Sequence, residues 1–182
     1  LSTTGVYGDL NGDWATEDTP CNPSGARGQR RVDAERAWMD LYENSALPLH
    51  IFRLPGIYGP GRNQLVSLLA GKAHRIVKSG HVFSRIHVED IAQILTASML
   101  APCPGRIYNV SDDMAAPPQD VVTYAAQLLN RDAPPIQDFE SADMSPMARS
   151  FYSDNKRVSN ARIKAELGIS LRYPTYKEGL EV

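Results

Sequence analysis

Hydrophobic and polar positions alternate along the chain in a way that predicts short strands and medium helices in succession. Between residues 30 and 44, Val32, Ala34, Trp38, Leu41 and Tyr42 fall on or near one face of a helix, with Arg30, Arg31, Asp33, Glu35 and Arg36 mostly on the other. Leu49–Leu54 is an apolar run stopped by Pro55-Gly56, which reads as a strand, and Tyr58-Gly59-Pro60-Gly61 reads as a turn. A short helix follows over about 63–70, carried by Leu65, Leu68 and Leu69, and short strands are expected at Ile76-Val77 and Val82–His87. Glu89–Leu100 places Ile91, Ile94, Leu95 and Met99 on one helical face, and Arg106–Val110 is a strand. Pro118 opens a helix with Val121, Val122, Ala125, Leu128 and Leu129 apolar, a favourable place for proline in a first turn. A last helix is expected from Ser159, as N-cap, to Leu167, where Gly168 stops it. Residues 8–29 and 131–148 are loop by composition, apart from one short strand near Ile136–Phe139. This alternation predicts an α/β protein with a largely parallel sheet. Ile51, Phe52, Leu54, Ile91 and Leu95 are the expected core.

Composition narrows the function classes. The 182 residues are 42% hydrophobic and 22% charged with a net charge of −2, an ordinary globular balance. No basic face is implied, so nucleic acid is not an expected partner. No apolar run approaches the ~20 residues that span a bilayer, and no signal peptide opens the chain, so no membrane is expected. Cys21 and Cys103 are too few for a disulfide framework, and they share no metal-ligand spacing with His50, His74, His81 or His87. Reduced thiols and a cytoplasmic location follow as the expectation, with no metal site.

The chain opens at Leu1-Ser2-Thr3-Thr4, with the character of a strand end and no initiating methionine. It reads as the later part of a longer protein. Several segments then arrive in a telling order. Ser2-Thr3-Thr4-Gly5-Val6-Tyr7-Gly8, Asn22-Pro23 with the polar helix to Glu35, Arg53–Gly61, Ile86-His87-Val88-Glu89-Asp90-Ile91-Ala92, Tyr108-Asn109-Val110, Leu167-Gly168 and Tyr176–Leu180 together resemble the extended short-chain dehydrogenases/reductases, the NAD-dependent epimerase/dehydratase group. Each motif alone is weak; their order over nearly the whole chain is the signal. His87 and Asp90 read as a capped helix start rather than an acid/base pair.

The resemblance implies the C-terminal part of an NAD(P)-binding, Rossmann-like reductase with a small substrate lobe. The chain is then one interleaved unit: the later half of the Rossmann-type domain at about 1–58 and 87–110, and the substrate lobe at about 59–86 and 111–182. The family's Gly-rich phosphate-binding turn is not found among these residues; Gly25-Ala26-Arg27-Gly28 follows a loop, not a strand. NAD or NADP is implied for the intact protein, with no tight binding by this chain alone.

The resemblance also assigns site residues. Thr3, four before Tyr7, matches the hydroxyl that bonds the substrate oxygen. The family's Tyr-x-x-x-Lys pair, in which a phenol moves the proton, aligns with Arg27 and Arg31. Arg31 keeps the positive charge that holds a ribose, whereas Arg27 stays protonated and cannot act as acid or base. The proton would then come from Tyr7, Tyr58 or water. Pro55 and Gly56 stand where the nicotinamide end approaches the backbone. Gly56 replaces an asparagine common in the family, which weakens a nucleotide-sugar substrate. Arg62, Arg85 and Arg149 are candidate clamps for a substrate anion. Arg85 lies two residues from the family's usual arginine, on the same strand face.

The function expected is that of an NAD(P)-dependent epimerase/dehydratase or oxidoreductase-like protein acting on a small polar or nucleotide-linked substrate, inactive as this piece. The alternative is a noncatalytic nucleotide-binding or regulatory relative that has lost the tyrosine. A homodimer through the helix at about 30–44 is the expected protein partner, with Trp38 or Tyr42 at the interface.

Overall fold

A computed structural model describes the whole chain, Leu1–Val182. Nine short strands, β1 (Ser2–Thr3), β2 (Trp14–Ala15), β3 (Ile51–Leu54), β4 (Gly56–Tyr58), β5 (Arg75–Val77), β6 (Arg85–His87), β7 (Ile107–Asn109), β8 (Ile136–Asp138) and β9 (Arg157–Val158), interleave with seven helices. The helices are α1 (Ala26–Ser45), α2 (Gln64–Leu69), α3 (Val88–Leu100), α4 (Pro118–Leu128), α5 (Pro146–Phe151), α6 (Ala161–Leu167) and α7 (Tyr176–Leu180).

Every strand pairing is parallel: β1-β3-β7 form one sheet, and β2 with β9, β4 with β6 and β5 with β8 form separate ladders. The mixed α/β class with parallel strands is therefore as the alternating pattern predicts. All four residues of β3 are buried, as expected of a strand covered on both faces. Around it Phe52, Leu54, Ile86, Ile91, Ile94, Tyr108, Val110, Ile163 and Ile169 form the main core, with Leu95 half-buried against it. A second core joins α4 and α7 through Tyr58, Ala116, Val121, Ala125, Tyr176 and Leu180.

The local signals act as their chemistry requires. His87 Nδ1 accepts from the Glu89 N–H at 3.2 Å and caps α3. Gly168 ends α6 at φ 62°, the left-handed conformation glycine adopts without strain. The same helix starts at Ala161 rather than at the expected position, after Asn160 as N-cap. Gly59-Pro60-Gly61-Arg62 closes a turn with Gly61 at φ 76° and reciprocal backbone bonds between Gly59 and Arg62, the type II geometry that Pro-Gly favours. Within the expected loop at 8–29, β2 forms and pairs with β9 far along the chain, and within the one at 131–148 α5 begins after Ser145, whose hydroxyl accepts from the Ala148 N–H. No helix is long and apolar enough to cross a membrane.

Helix α1 departs from its sequence pattern. It begins at Ala26, buries Val32 and Glu35, and leaves Trp38 53% and Leu41 47% exposed. The reason is a charge on β3, described next.

Candidate functional site

The parallel register sets Thr3 beside Leu54, so Thr3 and the Pro55-Gly56 pair emerge together at the carboxyl ends of β1 and β3. That is where open α/β sheets bind ligands. Thr3 is half-buried, and its Oγ1 accepts from the Gly5 N–H at 3.1 Å, capping the tight turn Thr4–Tyr7. The start of α1 packs on that turn at Gly28, where a Cβ would lie 2.9 Å from the Gly5 carbonyl oxygen and 2.6 Å from Pro23 Cβ.

Arg27 is exposed in the first turn of α1. Arg31, one turn on, is also exposed, and its guanidinium donates to the Leu1 carbonyl at 3.2 Å. One further turn along the same face, Glu35 is buried. It accepts from Ser2 Oγ at 2.5 Å and from Arg53 Nη2 at 2.6 Å, with Arg53 Nε at 3.2 Å from both carboxylate oxygens. Arg53 Nη1 donates to the Tyr7 hydroxyl at 2.9 Å, which donates onward to Asn109 Oδ1 at 2.7 Å. Asn109 is itself held by Glu17 at its N–H and by the Ala15 carbonyl at its amide. This buried chain of charge-assisted bonds underlies the ends of β1, β3 and β7.

Tyr7 is therefore a structural phenol: wholly buried, doubly bonded, and pushed above its ordinary pKa by burial. It is not a free proton source. Tyr58 is likewise raised by burial, and its hydroxyl donates to the Thr175 carbonyl at 3.2 Å. Tyr58 does, however, line a cavity.

That cavity has a volume of about 230 Å³ and lies between β4, α2, α4 and α7. Arg62 and Arg85 both reach it, so two of the three expected anion clamps come together, beside Gly56 and Tyr176. Arg149 does not join them. Its Nη2 donates to the Ala142 carbonyl and its guanidinium lies over the Phe139 ring, 4.8 Å from the centroid. Sequence reasoning missed Glu35, Arg53 and Asn109. The available signal was Arg53 itself, a charge inside a continuous apolar strand, which must find a partner.

No described protein-family profile matches the chain. Protein YeeZ of Escherichia coli (strain K12) is 32% identical over 175 residues, which cover 95% of this chain and 57% of YeeZ. The chain thus spans little more than half the length of that relative. A conserved protein of unknown function from Silicibacter pomeroyi superposes with a TM-score of 0.95 at 59% identity, covering 100% of this chain and 63% of the other. A Methylobacillus flagellatus protein assigned to the NAD-dependent epimerase/dehydratases matches at 29% identity and TM-score 0.71, over 99% and 60% of the two chains. The dTDP-glucose 4,6-dehydratase of Bacillus anthracis, solved with NAD, matches at TM-score 0.80 and 22% identity, over 99% and 58%. The chain has the fold of the later part of an extended short-chain dehydrogenase/reductase.

Proposed function

We propose that the intact protein is an extended short-chain dehydrogenase/reductase that binds NAD or NADP and holds a small polar or nucleotide-linked substrate, as an epimerase/dehydratase or oxidoreductase-like protein. The observation that carries this reading is the juxtaposition at the strand ends: Thr3 and Pro55-Gly56 side by side in register, with the Arg62–Arg85 cavity opening past Gly56. Residues 1–58 and 87–110 serve the cofactor side, and 59–86 with 111–182 the substrate side.

The residues present fit the nicotinamide end of such a cofactor. Gly56 is exposed and leaves the backbone open to close approach. Arg31 lies against the start of β1 and keeps a donor-rich cation for ribose hydroxyls. Bound nicotinamide would supply hydride exchange. The chain's own part is to bind and orient: Thr3 Oγ1 offers a hydroxyl to the substrate oxygen, and Arg62 and Arg85 attract its anionic group.

Arg27 favours a second reading. A guanidinium keeps its proton, so position 27 stabilises negative charge but transfers no proton; a noncatalytic nucleotide-binding relative is the form this takes if no other group supplies the proton. The test is made on the full-length protein. Arg31→Ala is expected to weaken NAD(P) binding about tenfold, ~1.4 kcal/mol, in calorimetric titration; unchanged affinity would place the arginines on a merely polar surface. Arg27→Tyr is expected to create or raise turnover of a reducible substrate, and a silent Arg27→Tyr with intact cofactor binding favours the noncatalytic form. The exposed Trp38 and Leu41 on α1 support a homodimer through that helix, read by sedimentation of Trp38→Glu against the parent. A cytoplasmic location is part of the same reading and rests on the two unpaired cysteines.

A further inference from the structure

The cofactor side and the substrate side of the proposed function, on which this inference rests, meet along one seam, the stretch Asp154–Ser159 that carries β9. This stretch holds the segment that follows the Thr4–Tyr7 turn. The Asn155 carbonyl accepts from the Leu10 N–H at 3.1 Å and the Gly12 N–H at 2.9 Å, and the Asn155 N–H donates to Asp9 Oδ1 at 2.8 Å. Arg157 donates from its N–H to the Asp13 carbonyl at 2.9 Å and from its guanidinium to the Gly12 carbonyl. The same residues also hold the chain that leads into β6. Asn155 Oδ1 accepts from the Val82 N–H at 3.0 Å, Asn155 Nδ2 donates to the Gly80 carbonyl at 3.0 Å, and the Val158 N–H donates to Ser84 Oγ at 3.0 Å.

One side chain in this seam is costly to place. Lys156 is 9% exposed, and a buried ammonium is stable only when it is partnered. Its partners are Asp154 Oδ2 at 3.3 Å, on its own stretch, and the Gly8 carbonyl at 2.7 Å, 148 positions away. An apolar side chain of similar length would fill the space without that desolvation cost. What the ammonium adds is a directed bond to one carbonyl.

That carbonyl stands at a crossing of the backbone. Gly8 ends the Thr4–Tyr7 turn at φ 69°. A Cβ there would overlap the Asn22 carbonyl, just as a Cβ on Gly28 would crowd the Gly5 carbonyl and Pro23. The turn, the loop at Asn22-Pro23 and the first turn of α1 are therefore stacked with their backbones in close approach, and Lys156 grips the stack at Gly8. Glu35 anchors α1 from within. The start of the helix after Gly25, which has no side-chain cap and carries Arg27, is led in by this stack.

We propose that Lys156 is a positioning residue for the site: through the Gly8 carbonyl it sets where the Thr3–Tyr7 turn and the start of α1 stand relative to the substrate side, while Asn155 ties the same loop to the chain entering β6.

Hydrogen exchange read by mass spectrometry, with calorimetric titration of NAD and NADP, tests this on the full-length protein. In Lys156→Met, segments 8–13 and 26–30 are expected to exchange at least about tenfold faster, with β3 and α4 unchanged. Cofactor affinity is expected to fall about fivefold. Lys156→Arg, which keeps a cationic donor, is expected to restore both. Gly8→Ala disturbs the same joint from the loop side and is expected to reproduce the Lys156→Met changes, so the test does not hang on one variant. Asn155→Ala is expected to speed exchange over 80–84 first, because its backbone carbonyl still accepts from Leu10 and Gly12. Far-UV circular dichroism checks that each variant is folded. Faster exchange spread evenly over the chain in Lys156→Met would make the lysine a structural residue only and overturn the proposal. Unchanged exchange at 26–30, or unchanged cofactor affinity where the parent binds, overturns it as well. A parent that binds neither cofactor overturns the proposed function instead, and exchange at 8–13 and 26–30 then decides the role of Lys156 by itself.

Discussion

Replacing Glu35 with alanine tests the energetic centre of the site. Arg53 and Glu35 have side chains 5% and 9% exposed and meet at 2.6 Å. Burial disfavours the Arg53 charge, yet its bonds to Glu35 and Tyr7 hold it above even its ordinary pKa, so the arginine stays charged at every accessible pH. Glu35→Ala therefore strands a cation in the interior. Removing one partner of such a pair costs about 3–5 kcal/mol. Arg53 keeps the Tyr7 hydroxyl at 2.9 Å and the Cys21 sulfur at 3.3 Å, and the exposed side of Cys21 admits water, which places the expected loss near the lower end, ~3 kcal/mol. With a urea slope of about 2 kcal/mol per molar, the unfolding midpoint falls by ~1.5 M. Far-UV circular dichroism in urea at pH 7 reads it. The double variant Glu35→Leu with Arg53→Met removes both charges, and is expected to return to within ~1 kcal/mol of the parent, because a buried pair costs its own desolvation. A Glu35→Ala midpoint within ~0.3 M of the parent would refute the assignment of α1's rotation to this pair.

Other perturbations probe separate parts of the chain. Gly179→Ala would put a Cβ 2.6 Å from Tyr58 Cε2 and into its hydroxyl, so a loss of 1–3 kcal/mol, typical of overpacking, and weaker anion binding in the adjacent cavity are expected together in urea and calorimetric titrations. His81 is 2% exposed with neither ring nitrogen bonded, and burial holds its pKa down to about 4 from 6.5; its contribution is complete above pH 6.5 and is lost as pH falls towards 4, by about 3 kcal/mol. His81→Phe, which keeps the aromatic stack on Tyr152 and Phe83, should flatten that acid limb of the stability profile, and an unchanged limb would remove His81 from the account. The 182-residue chain lacks a Gly-rich phosphate turn, so NAD and NADP are expected to bind it more weakly than ~100 µM; low-micromolar affinity in calorimetry would contradict this.

What was legible in the sequence is what short-range chemistry decides. The Pro60-Gly61 turn, the Gly168 stop, the start of α3 at His87 and the apolar strand ending at Pro55 each depend on residues within a few positions of one another, and each stands within a residue or two of its expected place. Arg62 and Arg85 were candidates before the cavity that joins them was known. The buried polar groups were not legible. Tyr7 finds Asn109 across 102 positions, and Arg53 finds Glu35 across 18, so no local window contains both partners. Glu35 reads as one more charge on a polar helix face, and Asp112 as one of two acids in a turn. Only the fold shows that each is buried, and that Oδ2 of Asp112 has nothing to bond. The amphipathic reading of α1 failed for the same reason: a helix rotates to satisfy a buried charge even where that leaves Trp38 and Leu41 in solvent, because an unpaired Arg53 costs more than two exposed apolar side chains.

That rotation connects stability to the site. Arg27, Arg31 and Glu35 are spaced by four and share one face of α1. With Glu35 fixed against Ser2 and Arg53, and Arg31 against Leu1, the face is turned along β1, and Arg27, one further turn towards the helix start, is exposed. The family resemblance aligns positions 27 and 31 with a tyrosine and a lysine; the buried pair fixes the rotation of the helix that carries them. The frame that presents a residue at position 27 therefore does not depend on what that residue is. A tyrosine there could be exchanged for arginine with the fold intact, since Glu35, eight residues on, supplies the anchoring. On this argument Glu35→Ala costs cofactor affinity as well as stability in the full-length protein, whereas Arg27→Tyr leaves stability within ~0.5 kcal/mol.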